Sequence, residues 1–342
     1  MSWVRESDGG GWVHQLCRGI LKTGAVPKHI AFIMDGNRRF ANKRSLDRAA
    51  GHLMGFEKLA ETLQWCRDLG IYEVTVYAFS IENFKRSKDE VDSLLELARQ
   101  KFQKLLEEKD QLKKHGVCVR VLGNVTLLPN DIQELIADAV CSTKDNDRAF
   151  LNVCFSYTSR EEICAAIRDM AEGVQLGLLD ESDIDDELLE ECLYTNHSPN
   201  PDLLVRTSGE CRLSDFLLWQ TSFSALLFDD VLWPEFSIWH LYAAVLHYQR
   251  NHKAVVQAKG LQSKDRINQR RIIDEKLILA KEHDLRFRET KDLQHHVEQF
   301  RQERARRIKT FLTYLENERT KYFETLVAKR QSNWEPQTVS TI

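Results

Sequence analysis

Short, almost continuously apolar runs alternate with amphipathic stretches through most of this chain. Runs rich in β-branched and aromatic residues predict strands at 29–34, 73–79, 117–122, 150–157, 202–205 and 226–232. Between them, apolar residues recur at helical spacing over 52–69, 88–114, 129–143, 159–175 and 183–193. Strands without polar alternation are typical of a parallel sheet buried on both faces. The pattern therefore predicts an α/β fold with about six mainly parallel strands covered by helices.

The two ends of the chain follow other patterns. In residues 1–26 a Gly9-Gly10-Gly11 break precedes Trp12, Val13, Leu16 and Ile20, which share one face of a short amphipathic helix. Such a helix lies on a membrane surface or packs on the main domain, and the sequence leaves both readings open.

From His252 onward Lys, Arg and Glu dominate, and apolar residues recur in steps of three and four between positions 293 and 326. This approximates an 11-residue repeat, which is typical of a long helix that coils little or right-handedly. The helix could be solvated, but the sustained stripe favours an element of assembly. The expected organisation is a leader at 1–26, a main domain at 27–251 and a charged helical extension at 252–342.

Composition narrows the functional classes. The 342 residues are 42% hydrophobic, which is enough for a substantial core, while a net charge of −4 argues against a general nucleic-acid binder. The eight cysteines form no C-x-x-C pair, so reduced structural thiols are expected. No apolar run approaches the roughly 20 residues that span a bilayer.

Three short strings concentrate the polar chemistry. They are Met34-Asp35-Gly36-Asn37-Arg38-Arg39, Ser80-Ile81-Glu82-Asn83-Phe84-Lys85-Arg86 and Arg206-Thr207-Ser208-Gly209-Glu210-Cys211-Arg212-Leu213-Ser214. Each follows a predicted strand, and ligands of open α/β sheets bind outside the carboxyl ends of the strands. Arginine binds phosphate oxygens through two parallel hydrogen bonds. A lone carboxylate, Asp35, among these cations suits Mg²⁺ shared with a diphosphate.

Each string also has a plainer interpretation. Asp35 could simply cap a helix, and Lys85-Arg86 could be a solvated charge run. Ser214 could be the N-cap of an apolar helix predicted over Asp215–Gln220, a role compatible with binding an anion. His52, near the start of another predicted helix, is more often a surface or capping residue than a catalytic one.

Taken together, the strings M-D-G-N-R-R, A-F-S-I-E-N-F-K-R, R-T-S-G-E-x-R-L-S-D-F-L-L-W-Q and V-L-W-P-E-F resemble those of the cis-prenyltransferases, the undecaprenyl and dehydrodolichyl diphosphate synthases. The resemblance covers residues 27–251 with every motif in family order. The leader and the long extension are similar to those of the animal members. No D-D-x-x-D motif occurs, which argues against the all-helical trans-prenyltransferases.

The resemblance implies an activity and assigns roles. The reaction would be the Mg²⁺-dependent condensation, in cis, of isopentenyl diphosphate units onto farnesyl diphosphate, giving a long-chain polyprenyl diphosphate for dolichol synthesis and protein glycosylation. By this resemblance, the allylic diphosphate would be bound by Gly36, Asn37, Arg38, Arg39 and Arg86. Isopentenyl diphosphate would be bound by Arg206, Arg212 and Ser214, with Arg39. Mg²⁺ would be held by Asp35, and the residues acting in catalysis would be Asp35, Ser80, Asn83 and His52.

The lengthening apolar product requires an apolar tunnel. The natural walls are the predicted helices that carry Leu53, Phe56, Leu59, Leu63, Trp65, Leu94, Leu95, Leu97 and Phe102. For any single one of these residues, ordinary core packing is the better interpretation.

Two departures from the family pattern imply a partner. Single-subunit members end in an Arg-x-Gly that reaches the diphosphate site across the dimer interface, and no such triplet follows the main domain here. Bacterial members carry a metal-associated Glu where this chain has Ala225. The implied enzyme is a hetero-oligomer with a Nogo-B-receptor-like subunit, peripheral on the cytosolic face of the endoplasmic reticulum membrane. The isolated chain is then expected to have low activity, and the C-terminal helix could drive higher assembly.

Two alternatives remain. An autonomous homodimeric polyprenyl diphosphate synthase would share the fold. A non-catalytic scaffold subunit would be a different class of protein, but the intact set of arginines counts against it.

Overall fold

The computed structural model describes Trp3, residues 11–281 and residues 290–333, with side chains described except at 279–281 and 290–293. The rest of the predicted leader, the side chain at stripe position 293 and the end of the extension lie outside this description. The strands are β1 (His29–Ile33), β2 (Glu73–Ser80), β3 (Val117–Leu122), β4 (Ala149–Tyr157), β5 (Leu203–Arg206) and β6 (Ala225–Phe228). The helices are α1 (Trp12–Leu21), α2 (Asn37–Lys43), α3 (Arg48–Leu69), α4 (Lys88–Glu107), α5 (Lys109–His115), α6 (Asn130–Thr143), α7 (Ser159–Gln175), α8 (Asp186–Cys192), α9 (Ile238–Lys281) and α10 (Thr290–Asn333).

The strands form one sheet in the order β3-β4-β2-β1-β5-β6, and every pairing is parallel. This confirms the predicted six-stranded parallel sheet covered by helices. The central strand β1 is buried along its whole length because helices cover both faces of the sheet. From β1 the chain turns to β2 on one side and later returns to β5 on the other. The carboxyl ends of these three strands therefore lie side by side.

Two predicted helices differ from those observed. The helix expected over 88–114 divides into α4 and α5 at Glu108. The helix expected over Asp215–Gln220 is wrong: this segment is a series of turns. Its backbone is left-handed at Ser214, Asp215 and Leu217, with φ of 51°, 60° and 46°. A right-handed helix cannot continue through such residues.

The described residues group into two compact units. The first comprises Met1–Glu161, Ser198–Lys253 and Lys321–Ile342, and it contains the whole sheet. The second comprises Glu162–His197 and Ala254–Thr320. The division into a leader, a main domain and an extension stays a prediction.

Within the first unit, the end of α10 packs on α6. The Tyr322 hydroxyl donates to Gln133 Oε1 at 2.8 Å, and Arg330 Nη1 donates to Asp138 Oδ2 at 2.5 Å. Leu326, a member of the predicted apolar stripe, is buried. This part of the stripe therefore serves the packing of the chain itself.

Within the second unit, an ionic cluster joins α10 to the start of α8. Both oxygens of the buried Asp183 carboxylate accept from Arg307, at 2.7 and 2.8 Å, and Arg304 donates to Asp185 at 2.6 Å. The stripe residue Phe311 is 1% exposed and lies against Gly173 of α7. These contacts bury one face of α10 within the second unit.

Helix α1 belongs to the first unit and has both an attached and an exposed face. Leu21 is buried, its carbonyl accepts from Gln249 Nε2 at 2.8 Å, and the His14 ring lies 4.9 Å from that of Trp239. The opposite face exposes Trp12, Leu16 and Ile20 by 76%, 55% and 59%. The helix thus packs on α9 while its predicted apolar face remains in solvent.

Candidate active site

A cavity of about 1060 Å³ opens at the carboxyl edge of the sheet, in the first unit. Every residue that the family resemblance implies in substrate binding, metal binding or catalysis lies on its wall. These residues are Asp35, Gly36, Asn37, Arg38, Arg39, His52, Ser80, Asn83, Arg86, Arg206, Arg212 and Ser214. The three strings therefore meet at one place, as expected from their positions after strands.

Asp35 lies at the centre of the polar end. Its Oδ2 accepts from Arg206 Nη2 at 2.9 Å, and its Oδ1 accepts from the Gly36 N–H at 2.7 Å. Arg39 Nη2 lies 3.7 Å from the same Oδ2. Burial raises the pKa of this carboxyl, but the hydrogen bonds and the two guanidinium charges outweigh burial and hold the pKa below its ordinary value. The carboxylate is thus ionised at neutral pH.

Arg206 spans the site from β5. Its side chain is only 4% exposed, and besides Asp35 it donates from Nη1 to Ser214 Oγ at 2.7 Å and to the Arg212 carbonyl. Arg39 donates to Ser208 Oγ, so the first and third strings are joined directly. Arg212 is 70% exposed and lies 3.2 Å from Glu210.

Thr207 anchors Asp35 through the backbone. This fully buried hydroxyl donates to the Asp35 carbonyl at 2.8 Å and accepts the Asp35 N–H at 3.1 Å. It therefore fixes the position of the Asp35 backbone, and with it the carboxylate, at the end of β1. The role of Thr207 could not be predicted from the sequence, because a threonine beside an arginine carries no signal of its own.

Glu90 organises the cations on the other side of the cavity. Its carboxylate, 11% exposed, accepts from Arg86 Nη1 at 2.7 Å and lies 3.4 Å from Arg38 and 3.8 Å from Arg48. Three arginines around one acid leave excess positive charge for an anionic ligand. Arg86 is therefore part of a built cluster rather than of a solvated charge run.

Ser80 and Asn83 form a capping box around the 3₁₀ turn Ile81–Lys85. Ser80 Oγ accepts from the Glu82 N–H at 3.2 Å, and Asn83 Oδ1 accepts from the Ser80 N–H at 2.9 Å. His52 lies on the cavity wall, and its Nε2 is buried without a hydrogen-bond partner. Burial, followed by the charge of Arg86, lowers the pKa of His52, so the ring is neutral at pH 7.

Glycines allow α2 and α3 to approach closely beside the site. A Cβ on Gly55 would stand 2.2 Å from Asn37 Oδ1, and a Cβ on Gly51 would stand 2.6 Å from the Asn37 carbonyl. Gly36 has φ of 106°, which also favours glycine. The position of Asn37 thus depends on the absence of side chains at positions 51 and 55 of α3.

The other end of the cavity is apolar. Of the expected tunnel residues, Phe56, Leu59, Leu94, Leu97 and Phe102 line it, while Leu53, Leu63, Trp65 and Leu95 do not. Helical spacing alone could not separate the wall of a cavity from ordinary core. Trp3 also lines this end, with its ring 4.5 Å from Phe56 in an edge-on arrangement.

A further charged residue on the cavity wall follows the fourth strand. Arg160 lies three residues beyond β4, and its Nε donates to Asp215 Oδ2 at 2.7 Å. Both residues line the cavity. Ligands bind outside the carboxyl ends of parallel strands, and the same expectation applied to the end of β4 would have found Arg160.

The donor set fits a metal ion only if a ligand completes it. Asp35 is the carboxylate between the arginines, its side chain is 36% exposed towards the cavity, and each of its oxygens has a second lone pair. Within the described residues, no cluster of three or more His, Cys, Asp or Glu side chains could hold a metal. One carboxylate plus phosphate oxygens is the arrangement Mg²⁺ prefers. Ala225 begins β6, at the opposite edge of the sheet from Asp35, so a Glu there could not share a metal with this Asp35.

Comparison with known proteins identifies the same family that the sequence motifs resemble. Residues 33–255 match the family described as putative undecaprenyl diphosphate synthase. The chain is 61% identical over 269 residues to the dehydrodolichyl diphosphate synthase complex subunit of Homo sapiens, covering 79% of this chain and 80% of that protein. It is 46% identical over 230 residues to the geranylgeranyl-diphosphate-specific tritrans,polycis-undecaprenyl-diphosphate synthase of Methanocaldococcus jannaschii, covering 67% of this chain and 82% of the relative.

A solved structure agrees with the fold. Lavandulyl diphosphate synthase from Lavandula x intermedia, in complex with dimethylallyl diphosphate, superposes with a TM-score of 0.62 at 33% identity. The match covers 66% of this chain and 95% of that one.

Proposed function

Because this chain belongs to the cis-prenyltransferases of the undecaprenyl diphosphate synthase family, we propose that its cavity joins isopentenyl diphosphate to farnesyl diphosphate with the help of Mg²⁺. The chain has the catalytic function of a dehydrodolichyl diphosphate synthase. One observation carries the assignment of the site: a single cavity is lined both by the arginines that surround Asp35 and by a group of apolar side chains. A diphosphate with a growing hydrocarbon tail has the same two halves.

The cations have a clear task in this reaction. Arg38, Arg39 and Arg86 would hold the allylic diphosphate, with Gly36 and Asn37 shaping its pocket. When the allylic C–O bond breaks, negative charge grows on the departing diphosphate, and cations already in place stabilise that charge more than they stabilise the ground state. A Mg²⁺ ion held by Asp35 and phosphate oxygens would add to this stabilisation.

The second substrate would occupy the other side of Asp35. Arg206, Arg212 and Ser214, together with Arg39, would bind the diphosphate of isopentenyl diphosphate. Ser80, Asn83 and the neutral His52 also line the cavity. They would hold the reacting carbons in place or relay the proton lost from the isopentenyl group.

The complex-subunit names of the similar proteins support a partner for this chain. We infer a Nogo-B-receptor-like subunit that completes the diphosphate site, with higher assembly through the C-terminal helix. A complex of this kind would lie peripherally on the cytosolic face of the endoplasmic reticulum membrane. The exposed apolar face of α1 supports a peripheral attachment. No helix among the described residues is both long and apolar enough to cross a bilayer.

Product synthesis tests the proposal. The purified chain, with and without the partner subunit, is incubated with farnesyl diphosphate, labelled isopentenyl diphosphate and Mg²⁺, beside an Asp35→Asn variant of nearly equal shape. We expect long-chain product that requires the partner and is lost in the variant. Full activity of the chain alone would favour an autonomous homodimer. A folded complex that makes no product would favour a scaffold subunit.

Membrane attachment is tested separately. Leu16→Glu should weaken co-sedimentation of the complex with neutral phospholipid vesicles, because it places a charge on the exposed face of α1. The matched control is Leu261→Glu on α9, where the leucine is 65% exposed. Equal binding of both variants and the wild type would refute the attachment through α1.

A further inference from the structure

The loop that carries Ser214 has a backbone conformation that most residues avoid. Ser214, Asp215 and Leu217 are all left-handed, and none of them is glycine, which adopts this region without strain. Non-glycine residues persist in this region only where the surroundings determine the conformation, and such places cluster at functional sites.

The start of α7 supplies most of the contacts, and they converge on Asp215. The Ser159 N–H donates to the Asp215 carbonyl at 2.7 Å, and the Arg160 N–H donates to Asp215 Oδ1 at 3.1 Å. Arg160 Nε completes the set at Asp215 Oδ2, 2.7 Å away. Backbone and side chain of one loop residue are thus fixed by two consecutive residues of another element.

Neighbouring contacts strengthen this attachment. The Leu218 N–H donates to Ser159 Oγ at 3.1 Å, and the Tyr77 hydroxyl donates to the Ser214 carbonyl at 3.3 Å. The rings of Tyr77 and Phe216 stack at 4.6 Å with an interplanar angle of 14°. The strained segment is therefore held from β2 and from α7 at once.

The position of Asp215 affects Arg206, because the preceding residue, Ser214, is a hydrogen-bond partner of Arg206. Ser214 Oγ accepts from Arg206 at 2.7 Å, and the Arg212 carbonyl accepts from the same guanidinium. If the loop relaxed towards an ordinary conformation, Arg206 would lose partners that aim it into the cavity. Arg38 and Arg86, on the opposite wall, are held by Glu90 instead and would not move.

We propose that Asp215 and Arg160 are positioning residues that hold the Ser214 loop in its left-handed form, and so set the affinity for isopentenyl diphosphate but not for the allylic substrate. The inference rests on the proposed function, because it assigns the third string to isopentenyl diphosphate. An exposed ion pair by itself contributes little, and Arg160 is 74% exposed at its side chain. The expected effect therefore comes from the geometry of the loop and not from the net charge.

The test compares Arg160→Gln with Arg168→Gln in the complete complex. Arg168 is a matched control on the same helix, whose Nε donates to the Cys164 carbonyl one turn earlier. We expect Arg160→Gln to raise the KM for isopentenyl diphosphate about tenfold, because a relaxed loop would no longer hold Ser214 against the Arg206 guanidinium. The KM for farnesyl diphosphate and the melting temperature should stay at the wild-type values, as both should in Arg168→Gln.

Two more variants separate positioning from general damage. Arg160→Lys should restore part of the affinity for isopentenyl diphosphate. Asp215→Asn, which tolerates the left-handed region, should raise the same KM, and combining it with Arg160→Gln should add little, because both changes remove one interaction. Equal rises in both KM values, or fully additive effects of the two changes, would overturn the proposal.

Calorimetric titration with isopentenyl diphosphate distinguishes failure of this inference from failure of the proposed function. If the wild-type complex makes product and Arg160→Gln behaves like Arg168→Gln, the inference alone falls. If the wild-type complex makes no product but binds isopentenyl diphosphate, the proposed reaction falls. The ratio of affinities between the two variants then still decides the inference. If the wild-type complex neither makes product nor binds isopentenyl diphosphate, both the proposed function and this inference are refuted.

Discussion

The guanidinium of Arg206 lies 2.9 Å from the carboxylate of Asp35, although 171 positions separate the two residues in the chain. The contact joins the ends of neighbouring strands β5 and β1. Arg206 is almost fully buried and Asp35 is partly open to the cavity. One guanidinium therefore holds the acid and, through its other nitrogen, the loop of Ser214.

Arg206→Lys should separate charge from shape at this contact. An ammonium group keeps the positive charge but cannot donate along two directions from a planar fork. We expect kcat/KM for isopentenyl diphosphate to fall by about 10²–10³, the loss typical of one preorganised donor. Arg212→Lys should lose less, because Arg212 is largely exposed. Steady-state kinetics with varied isopentenyl diphosphate measure both, and a threefold loss or less in Arg206→Lys would contradict the role of the fork.

Gly55→Ala should damage the allylic site although alanine favours helices. In an open helical position the change stabilises by roughly 0.5–1 kcal/mol, but here the new Cβ would overlap the Asn37 amide. We expect a higher KM for farnesyl diphosphate and a lower melting temperature. Gly260→Ala on α9 is the matched control, since nothing lies within 4 Å of its Cβ position. That variant should be at least as stable as the wild type, and equal behaviour of the two would disprove the close approach.

Thr207→Val should reduce kcat with little change in either KM. Valine matches the shape of threonine but removes the hydroxyl that bonds both the N–H and the carbonyl of Asp35. The Asp35 N–H still donates to the Ile33 carbonyl and the Asp35 carbonyl still accepts from the Trp233 N–H, at 3.0 Å each, so the folded state should lose only about 0.5–1.5 kcal/mol, the net contribution of a hydrogen bond. Thr207→Ser keeps the hydroxyl and should recover most of kcat. The explanation would fail if Ser and Val variants lost kcat equally.

Acidification below about pH 6.5 should lower stability through His52. Burial and the neighbouring arginines hold the pKa of His52 below its ordinary value, so the unfolded chain takes up a proton that the folded chain refuses. Stability then falls with pH by up to about 1.4 kcal/mol per pH unit for one such group, until the folded-state pKa is reached. His29 contributes in the same direction, because burial lowers its pKa too.

Denaturant unfolding at several pH values between about 7.5 and 5.5 checks this linkage. His52→Asn should make the slope shallower without abolishing it, since His29 remains. The lowered pKa of Asp35 acts in another window: its stabilisation is present above about pH 4 and is lost only as pH falls through the depressed value. An unchanged slope in His52→Asn would show that this ring titrates normally.

The sequence predicted the sheet and the meeting place of the three strings, because both follow from local pattern and from the geometry of parallel strands. It did not predict the turns at Asp215–Gln220, since their left-handed backbone depends on contacts from α7 and β2. Glu90 was missed because an acid four residues after Arg86 is ordinary on a helix surface. Only the fold brings Arg38 and Arg48 to the same carboxylate.

The position of β1 between β2 and β5 also bears on how the protein is made. A ribosome that has released the chain as far as β4 has already delivered Asp35, Arg38, Arg39 and Arg86. The other half of the ion pair at Asp35 is still unsynthesised, and β1 has an open edge where β5 will bond. Pairing across so long a stretch of chain is intrinsically slow. The nascent protein thus exposes one open edge of its central strand until β5 and Arg206 emerge, and a chaperone would be of most use in that interval.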